Sequence, residues 1–140
     1  MPPKQSKGNV ENKLYITRSI PVGAVVTCAD NSGARTLKIA QVAKWKGRFS
    51  RLPAASVGDK VSVVVGKGKP ELQKQIFPAV IVRQKYPIRR ASGVRVSFED
   101  NAAVLITPEG ELKGSGIKGP VATEAAEKWP RIANVATIVV

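Results

Sequence analysis

A series of short apolar runs, each closed by a turn signal, most constrains how this chain can fold. Residues 24–29 and 35–42 are two such runs, and the tetrapeptide Asp30-Asn31-Ser32-Gly33 lies between them. Asp and Asn accept local backbone N–H groups and glycine adopts a positive φ at little cost, so this tetrapeptide predicts a hairpin turn. Apolar and polar residues alternate through the second run, which is typical of a half-buried strand.

The later runs extend the same pattern to residue 107. Residues 60–65 follow a Gly58-Asp59 turn, residues 78–83 are a further apolar run, and residues 94–98 alternate. Residues 102–107 end just before a Pro-Glu-Gly turn. Several short strands with turns between them favour a barrel or a sandwich over a parallel α/β sheet. The sequence therefore predicts a mainly β fold.

The C-terminal part has a different composition. Residues 122–129 lack glycine and proline and are rich in Ala and Glu, and Pro130 follows them. Because proline disfavours the helical conformation at the residue before it, this pattern predicts a short helix that ends before Pro130. The predicted organisation is a flexible N-terminal arm over residues 1–12, a β-barrel RNA-binding domain over 13–121 and a short helical segment over 122–140.

Basic residues far outnumber acidic residues, and histidine is absent. There are 23 Lys and Arg against 10 Asp and Glu, which gives a formal net charge of +13 in 140 residues. Such an excess repels itself in the folded state and is tolerated where a polyanion neutralises it. The missing imidazole removes the side chain most often used for proton transfer and for zinc binding. The composition therefore indicates a nucleic-acid binder that is not an enzyme, with no metal site and no cofactor.

Cysteine content and apolar run length exclude two further classes of protein. Cys28 is the only cysteine, so it can form no internal disulfide, which suits a reducing cytosolic compartment. It lies in an alternating apolar run and is expected to be a small core residue. The apolar runs are far shorter than the ~18 residues that span a bilayer, so no membrane partner is expected.

Two stretches concentrate the positive charge and contain no acid. The first covers residues 38–51 and the second covers residues 83–95, and aromatic residues are interleaved in both. Lysine and arginine neutralise phosphates, arginine can fork onto two phosphate oxygens, and an aromatic ring can stack on an unpaired base. By itself this signal indicates RNA or DNA without choosing between them. The predicted nucleic-acid-binding residues in and beside these stretches are Arg35, Lys44, Trp45, Lys46, Arg48, Phe49, Arg51, Arg83, Lys85, Tyr86, Arg89, Arg90 and Arg95.

Two glycine-containing loops add further lysines to this set. Residues 66–70 carry Lys67 and Lys69 but lack the G-x-x-x-x-G-K-S/T spacing of a P-loop, so a flexible hairpin tip is expected there. Residues 114–119 carry Lys118, and this loop is either a phosphate cradle or a plain linker. Lys67, Lys69 and Lys118 complete the predicted nucleic-acid-binding residues.

Three ordered motifs resemble those of the universal ribosomal protein L-fourteen family. They are Cys28-Ala29-Asp30-Asn31-Ser32-Gly33-Ala34-Arg35, then Ala79-Val80-Ile81-Val82 with Ser92-Gly93 and Phe98, and finally Gly119-Pro120-Val121-Ala122. Together they cover nearly the whole chain beyond about residue 12. Within the eukaryotic or archaeal branch, Arg51-Leu52-Pro53-Ala54-Ala55 and Trp129-Pro130-Arg131-Ile132-Ala133 are similar to the cytosolic eukaryotic type.

The resemblance implies a five-stranded OB-like β-barrel with a protruding β-ribbon and a short helical C-terminus. It implies a structural role in the large ribosomal subunit, where the protein would bind large-subunit rRNA near the sarcin–ricin loop. It also implies contacts with small-subunit rRNA at intersubunit bridges and with neighbouring large-subunit ribosomal proteins. The location would be cytoplasmic ribosomes, with nucleolar assembly in a eukaryote.

The resemblance further implies that the C-terminal region docks an anti-association factor that keeps the subunits apart. The candidate partner-binding residues there are Glu124, Lys128, Trp129 and Arg131. The apolar residues 138–140 either form such a partner surface or complete the core. An alternative to the ribosomal role is a free OB-type protein that binds single-stranded nucleic acid of many sequences.

Overall fold

Eleven short strands and two short helices make up the computed structural model, which describes residues 16–43, 45 and 47–140. The predicted N-terminal arm and two predicted RNA-binding residues, Lys44 and Lys46, lie outside the described residues. In chain order the elements are β1 (Ile20–Pro21), β2 (Val25–Cys28), β3 (Ala34–Val42), β4 (Ala54–Ala55), β5 (Lys60–Gly68), β6 (Ile76–Arg83), β7 (Ile88–Arg89), β8 (Arg95–Val96), β9 (Ala102–Leu105), β10 (Pro120–Val121), α1 (Thr123–Lys128), α2 (Pro130–Val135) and β11 (Ile138–Val139).

Five of the strands close into a barrel in the order β2–β3–β5–β6–β9. Consecutive neighbours in this order are antiparallel, and the barrel is closed by parallel pairing of β2 with β9. In that last pair Thr27 lies opposite Ala102 and Cys28 lies opposite Ala103. The structure thus confirms the mainly β, five-stranded barrel and decides between the barrel and the sandwich.

The core fills the barrel with aliphatic side chains from alternating positions. Leu37 and Ile39 on β3 and Val61, Val63 and Val65 on β5 are all buried. Each aliphatic side chain of this size stabilises the fold by ~1.5–3 kcal/mol when it is fully buried. All four residues of β9 are buried, so this strand lies inside the molecule with no solvent-facing side.

Two pairs of short strands lie outside the barrel. Strands β7 and β8 form an antiparallel ribbon, and the predicted alternating run 94–98 contributes only the two residues of β8 to regular structure. Strand β11 pairs in parallel with β10, and the side chains of Ile138 and Val139 remain 55% and 45% exposed. The apolar tail is therefore held by its main chain and does not complete the core.

Two helices follow the barrel, where the sequence predicts a short helix before Pro130 and allows a second short helical turn over residues 131–136. Helix α1 ends one residue before Trp129, and Pro130 begins α2 at a position that suits proline because no intrahelical N–H is needed there. Buried Ala125, Ala126 and Ile132 fix the helices to the barrel. No helix within the described part of the chain has the length and apolar character needed to cross a membrane.

Candidate RNA-binding surface

Four exposed cations from three distant segments line one cleft of about 520 Å³. Arg35 lies on β3, Lys67 and Lys69 lie at the end of β5, and Lys118 lies in the loop before β10. Each of these residues is predicted from the sequence to bind nucleic acid, but their convergence is not. We call this site the cation cleft.

Asp30 is the acid that lines the cation cleft, and its carboxylate is occupied by four hydrogen bonds. Oδ1 accepts from the Ser32 hydroxyl (2.6 Å), the Ser32 backbone N–H (3.2 Å) and the Cys28 thiol (2.9 Å). Oδ2 accepts from the backbone N–H of Leu105 (2.9 Å). Because Leu105 is on β9, Asp30 joins the β2–β3 turn to the strand that closes the barrel.

Asn31 fixes the glycine-rich loop that carries Lys118 to the cation cleft. Its Oδ1 accepts from the backbone N–H groups of Ser115 (2.8 Å) and Gly116 (3.1 Å), and its Nδ2 donates to the Ser115 hydroxyl (2.7 Å). A Cβ added at Gly114 would lie 2.8 Å from Asn31 Oδ1, so glycine permits this close approach. The loop is therefore held to the β2–β3 turn by side-chain hydrogen bonds, and Lys118 is its residue in the cleft.

Gly33 allows the stem of Lys69 to cross the β2–β3 turn. Gly33 has a φ of +109°, in the region that favours glycine. A Cβ added there would lie 2.7 Å from Cδ of Lys69, whose backbone N–H donates to the Gly33 carbonyl (3.2 Å). The predicted turn is thus confirmed, and its glycine also shapes the path of a cleft lysine.

Arg83 is buried, which is at odds with the predicted direct contact between its guanidinium and an RNA phosphate. Nε and Nη2 donate to the two carboxylate oxygens of Asp100 at 3.0 and 3.4 Å. Nη1 donates to the backbone carbonyls of Lys118 (2.7 Å) and Pro120 (3.3 Å). The acid-free stretch around Arg83 does not reveal this partner, because Asp100 lies on the loop before a neighbouring strand.

The β7–β8 ribbon presents a second set of cations. Arg89 and Arg95 are exposed and lie directly opposite each other across the ribbon, and Lys85 is exposed nearby in sequence. Like charges directly opposite each other destabilise a sheet, so this pair is favourable only beside an anion. Arg90, in contrast, donates to Glu124 (3.1 Å) and to the Val140 carbonyl (2.6 Å), which ties the ribbon to the C-terminal segment.

The loop between β3 and β4 places the predicted aromatic residues in different environments. Phe49 is 97% exposed at a turn in which the N–H of Arg51 donates to the carbonyl of Arg48 (3.1 Å). Trp45 packs against the core, and the guanidinium carbon of Arg18 lies 5.1 Å from the ring centroid. Phe49 therefore offers a free ring between two exposed arginines, whereas Trp45 is already covered.

Tyr86, the third predicted aromatic residue, follows β6. Its ring is exposed, while its carbonyl accepts a hydrogen bond from Nε2 of the buried Gln84 at 3.2 Å. The same Nε2 donates to the carbonyl of Thr17 (3.1 Å). The buried amide thus holds the backbone at the start of the second basic stretch in place and leaves the ring accessible.

The four predicted partner-binding residues all make contacts within the chain. Besides the pair of Glu124 with Arg90, Lys128 Nζ lies 3.8 Å from a carboxylate oxygen of Asp59, and Trp129 Nε1 donates to the Gly58 carbonyl (2.9 Å). Arg131 forms an exposed ion pair with Glu111. These residues anchor the helices to the barrel and ribbon, a role that the sequence pattern does not reveal.

The Cys28 thiol is buried and remains protonated. Burial is the main cause that raises its pKa to about 12, and the hydrogen bond with Asp30 and the negative charge of Asp30 act in the same direction. A protonated thiol is a poor nucleophile. Among the residues that the structure describes, no group of three or more His, Cys, Asp or Glu side chains is arranged to hold a metal ion.

The described residues form a closed five-stranded β-barrel with exposed cations on several loops, which defines a class of basic β-barrel proteins. The family model described as "Ribosomal protein L14p/L23e" matches residues 19–140 of the chain. The chain therefore belongs to this family of large-subunit ribosomal proteins, which confirms the resemblance seen in the motifs.

Three relatives show how far the similarity extends, and each is a "large ribosomal subunit protein uL14". The protein of Cenarchaeum symbiosum is 67% identical over 97% of this chain and 94% of its own length. That of Nitrosopumilus maritimus is 62% identical over the whole of both chains. That of Candida albicans is 54% identical over 92% of this chain and 94% of its own length.

These relatives are ribosomal structural proteins and not enzymes, as the composition predicts. The chain is accordingly a ribosomal protein of the large subunit, located in ribosomes. These two archaeal relatives, at 67% and 62% identity, are more similar to the chain than the fungal one at 54%, so the similarity does not favour the eukaryotic type. Nucleolar assembly stays a prediction that applies only in a eukaryotic cell.

Proposed function

We propose that this structural constituent of the large subunit binds large-subunit rRNA through the cation cleft, the β7–β8 ribbon and the Phe49 loop. The observation that carries the proposal is the convergence of Arg35, Lys67, Lys69 and Lys118 on one cleft. Within the described residues, the ion pairs involve other cations, and none joins these four to an acid. Four like charges brought together repel each other unless a polyanion lies among them.

The two further surfaces would extend the contact along the RNA. Arg89, Arg95 and Lys85 supply phosphate ligands on and beside the ribbon, and Phe49 supplies a ring for an unpaired base between Arg48 and Arg51. This division follows the way proteins use phosphate contacts for positioning and base contacts for specificity. The stretch of rRNA that we propose is the neighbourhood of the sarcin–ricin loop.

We also propose protein and bridge contacts for the rest of the surface. The support is the exposed pair Ile138 and Val139 on β11, whose outer edge pairs with no further strand among the described residues. An exposed apolar patch beside an open strand edge suits a protein partner. We assign this region to an anti-association factor and to neighbouring ribosomal proteins, and part of the basic surface to small-subunit rRNA at bridges.

The salt dependence of RNA binding tests the cation cleft directly. The probe is an rRNA fragment containing the sarcin–ricin loop, and the variant is Lys67→Gln with Lys118→Gln. Each lost phosphate contact reduces the magnitude of the negative slope of log K against log salt by ~0.7 on single-stranded RNA. The slope of the double variant should therefore be shallower by about 1.4. Lys74→Gln, an exposed lysine that does not line the cleft, is the matched control and should leave the slope unchanged.

Two results would contradict the proposal. An unchanged slope in the double variant would remove the cleft from the RNA interface. Equal affinity for the rRNA fragment and for arbitrary oligonucleotides would favour the alternative, a free single-stranded nucleic-acid binder. Sedimentation of the tagged protein with large subunits at high salt provides the corresponding test in cell lysate.

A further inference from the structure

We propose that Arg83 is a positioning residue that holds the Lys118 ammonium in the cation cleft. The inference rests on the proposed function, because it assumes that the cleft binds RNA phosphates. It assigns to Arg83 a role that acts through Lys118 and not through contact with RNA. The role follows from how the two peptide groups of Lys118 are held.

The backbone of Lys118 is held from two directions. Its N–H donates to the carbonyl of Ala29 on the β2 side (2.6 Å), and its carbonyl accepts from Nη1 of Arg83 on β6 (2.7 Å). The same Nη1 reaches the carbonyl of Pro120 at 3.3 Å. One guanidinium therefore fixes the chain on both sides of Gly119, while the Lys118 side chain stays exposed.

The guanidinium is itself fixed by Asp100. The bidentate arrangement, at 3.0 and 3.4 Å, sets the plane of the fork and leaves Nη1 directed at the two carbonyls. The Arg83 side chain is only 9% exposed, so water competes little for these donors. Lysine at this position would bring a single ammonium without the planar fork, and could not satisfy the carboxylate and both carbonyls in the same way.

Gly119 shows how closely the segment follows the guanidinium. It has a φ of +78°, and a Cβ added there would lie 2.5 Å from Nη1 of Arg83. A side chain at this position would push the segment away from Arg83. Glycine thus permits the contact on which the position of Lys118 depends.

Holding the backbone matters because a lysine side chain has many rotamers. Ordering a free loop and a long side chain on binding costs conformational entropy, which reduces the gain from the phosphate contact. A loop that is already fixed keeps the ammonium within reach of the cleft before RNA arrives. Removing the Arg83 contact should therefore remove the Lys118 contribution to binding, even though Lys118 is still present.

The test compares salt slopes for binding to the same sarcin–ricin rRNA fragment. Lys118→Gln should lower the slope by about 0.7, the contribution of one phosphate contact. Arg83→Lys keeps the net charge and should lower the slope by the same amount. In the double variant Arg83→Lys with Lys118→Gln the slope should fall no further, whereas Arg83→Lys with Lys67→Gln should show both losses.

A second variant covers the case in which Arg83→Lys does not fold. Gly119→Ala leaves both charges of the Arg83–Asp100 pair in place, and its Cβ would separate Nη1 of Arg83 from the backbone of residues 118–120. It should show the slope of Lys118→Gln. A purely structural role for Arg83 would lower thermal stability in these variants without changing the slope, so melting temperature and slope are both measured.

The outcomes separate the two proposals. If Lys118→Gln and Lys67→Gln both bind with the wild-type slope, the cation cleft is not an RNA site and the proposed function is wrong at this surface; if only Lys118→Gln does, the role of Arg83 is refuted while the cleft stands. If Lys118→Gln lowers the slope but folded Arg83→Lys, or Gly119→Ala, does not, the positioning role of Arg83 is refuted while the cleft stands. The positioning role of Arg83 is established if Lys118→Gln and Arg83→Lys change the slope by the same amount and the double variant changes it no further.

Discussion

Removing the Asp30 carboxylate should destabilise the barrel more than its position in a turn would suggest. In Asp30→Ala the buried N–H of Leu105 loses its acceptor, and so do the N–H and hydroxyl of Ser32 and the thiol of Cys28. A buried donor left without a partner costs ~1–3 kcal/mol, and each of the other hydrogen bonds contributes ~0.5–1.5 kcal/mol. The backbone N–H and hydroxyl of Ser32 can form hydrogen bonds with water instead. We therefore expect a loss of about 3–4 kcal/mol in the free energy of unfolding.

Asparagine at the same position tests the reasoning more finely. In Asp30→Asn the amide oxygen can still accept hydrogen bonds on one side, but the NH₂ group faces donors on the other. The loss should therefore be about half that of Asp30→Ala. Asp59→Ala is the matched control, since Asp59 accepts from the N–H and hydroxyl of Ser56 at a part-buried turn and its ion pair with the exposed Lys128 contributes little. It should cost about 1 kcal/mol.

Urea unfolding at constant salt, followed by tryptophan fluorescence and far-UV circular dichroism, measures these differences. A domain of this kind has a total stability of ~5–15 kcal/mol, so a loss of the expected size is a clear shift of the midpoint. If Asp30→Ala unfolds with a free energy within about 1 kcal/mol of the wild type, the carboxylate does not hold β9 to the turn. Equal stability of Asp30→Asn and wild type would likewise contradict the acceptor argument.

Three further outcomes are expected. Gly33→Ala should lower stability by about 1–2 kcal/mol and weaken RNA binding, because a residue with a Cβ is strained at this positive φ and its Cβ displaces Lys69. Thermal melting measures the stability and RNA titration measures the binding. Phe49→Leu should weaken binding to an RNA with 2-aminopurine at the stacked base by ~5–30-fold at an unchanged salt slope, and Phe49→Trp should restore it. The Cys28 thiol should resist a disulfide reagent until the protein is denatured. The pKa of the Cys28 thiol is about 12 in the folded protein and ~8.5 in an unfolded chain. Its contribution to stability is therefore complete below pH ~8.5 and is lost as the pH rises towards 12. Cys28→Ala should abolish this loss of stability at high pH.

The sequence is informative where the physical cause is local. The turn from Asp30 to Gly33, the alternation along β3 and the end of α1 before Pro130 all depend on neighbours within a few residues, and the structure confirms them. The order of strands in the barrel depends instead on pairing between distant segments. Thr27 lies opposite Ala102, and no local pattern in either run encodes that partner.

The candidate site shows the same division. Charge predicts the cleft lysines individually. Lys118, however, lies in a loop whose backbone N–H groups at Ser115 and Gly116 donate to Asn31, more than 80 residues earlier. Arg83 belongs to an acid-free stretch and yet pairs with Asp100, because adjacent positions in a sheet are remote in sequence. A count of charges along the chain therefore identifies the basic surface. It does not distinguish the exposed cations from buried cations, such as Arg83, that hold the backbone in place.

The parallel pairing of β2 with β9 has a consequence for synthesis on the ribosome. Strands β2, β3, β5 and β6 pair in the order in which they are made, so a curved four-stranded sheet can form early in translation. Strand β9 is the last of the five barrel strands to be made, and it fits between β6 and β2 with all four residues buried. Until residue 105 is available, the nascent chain carries two unpaired edges that other strands can join. A strongly cationic protein thus spends part of its synthesis in an aggregation-prone form, during which an escort that covers the unfilled gap would protect it.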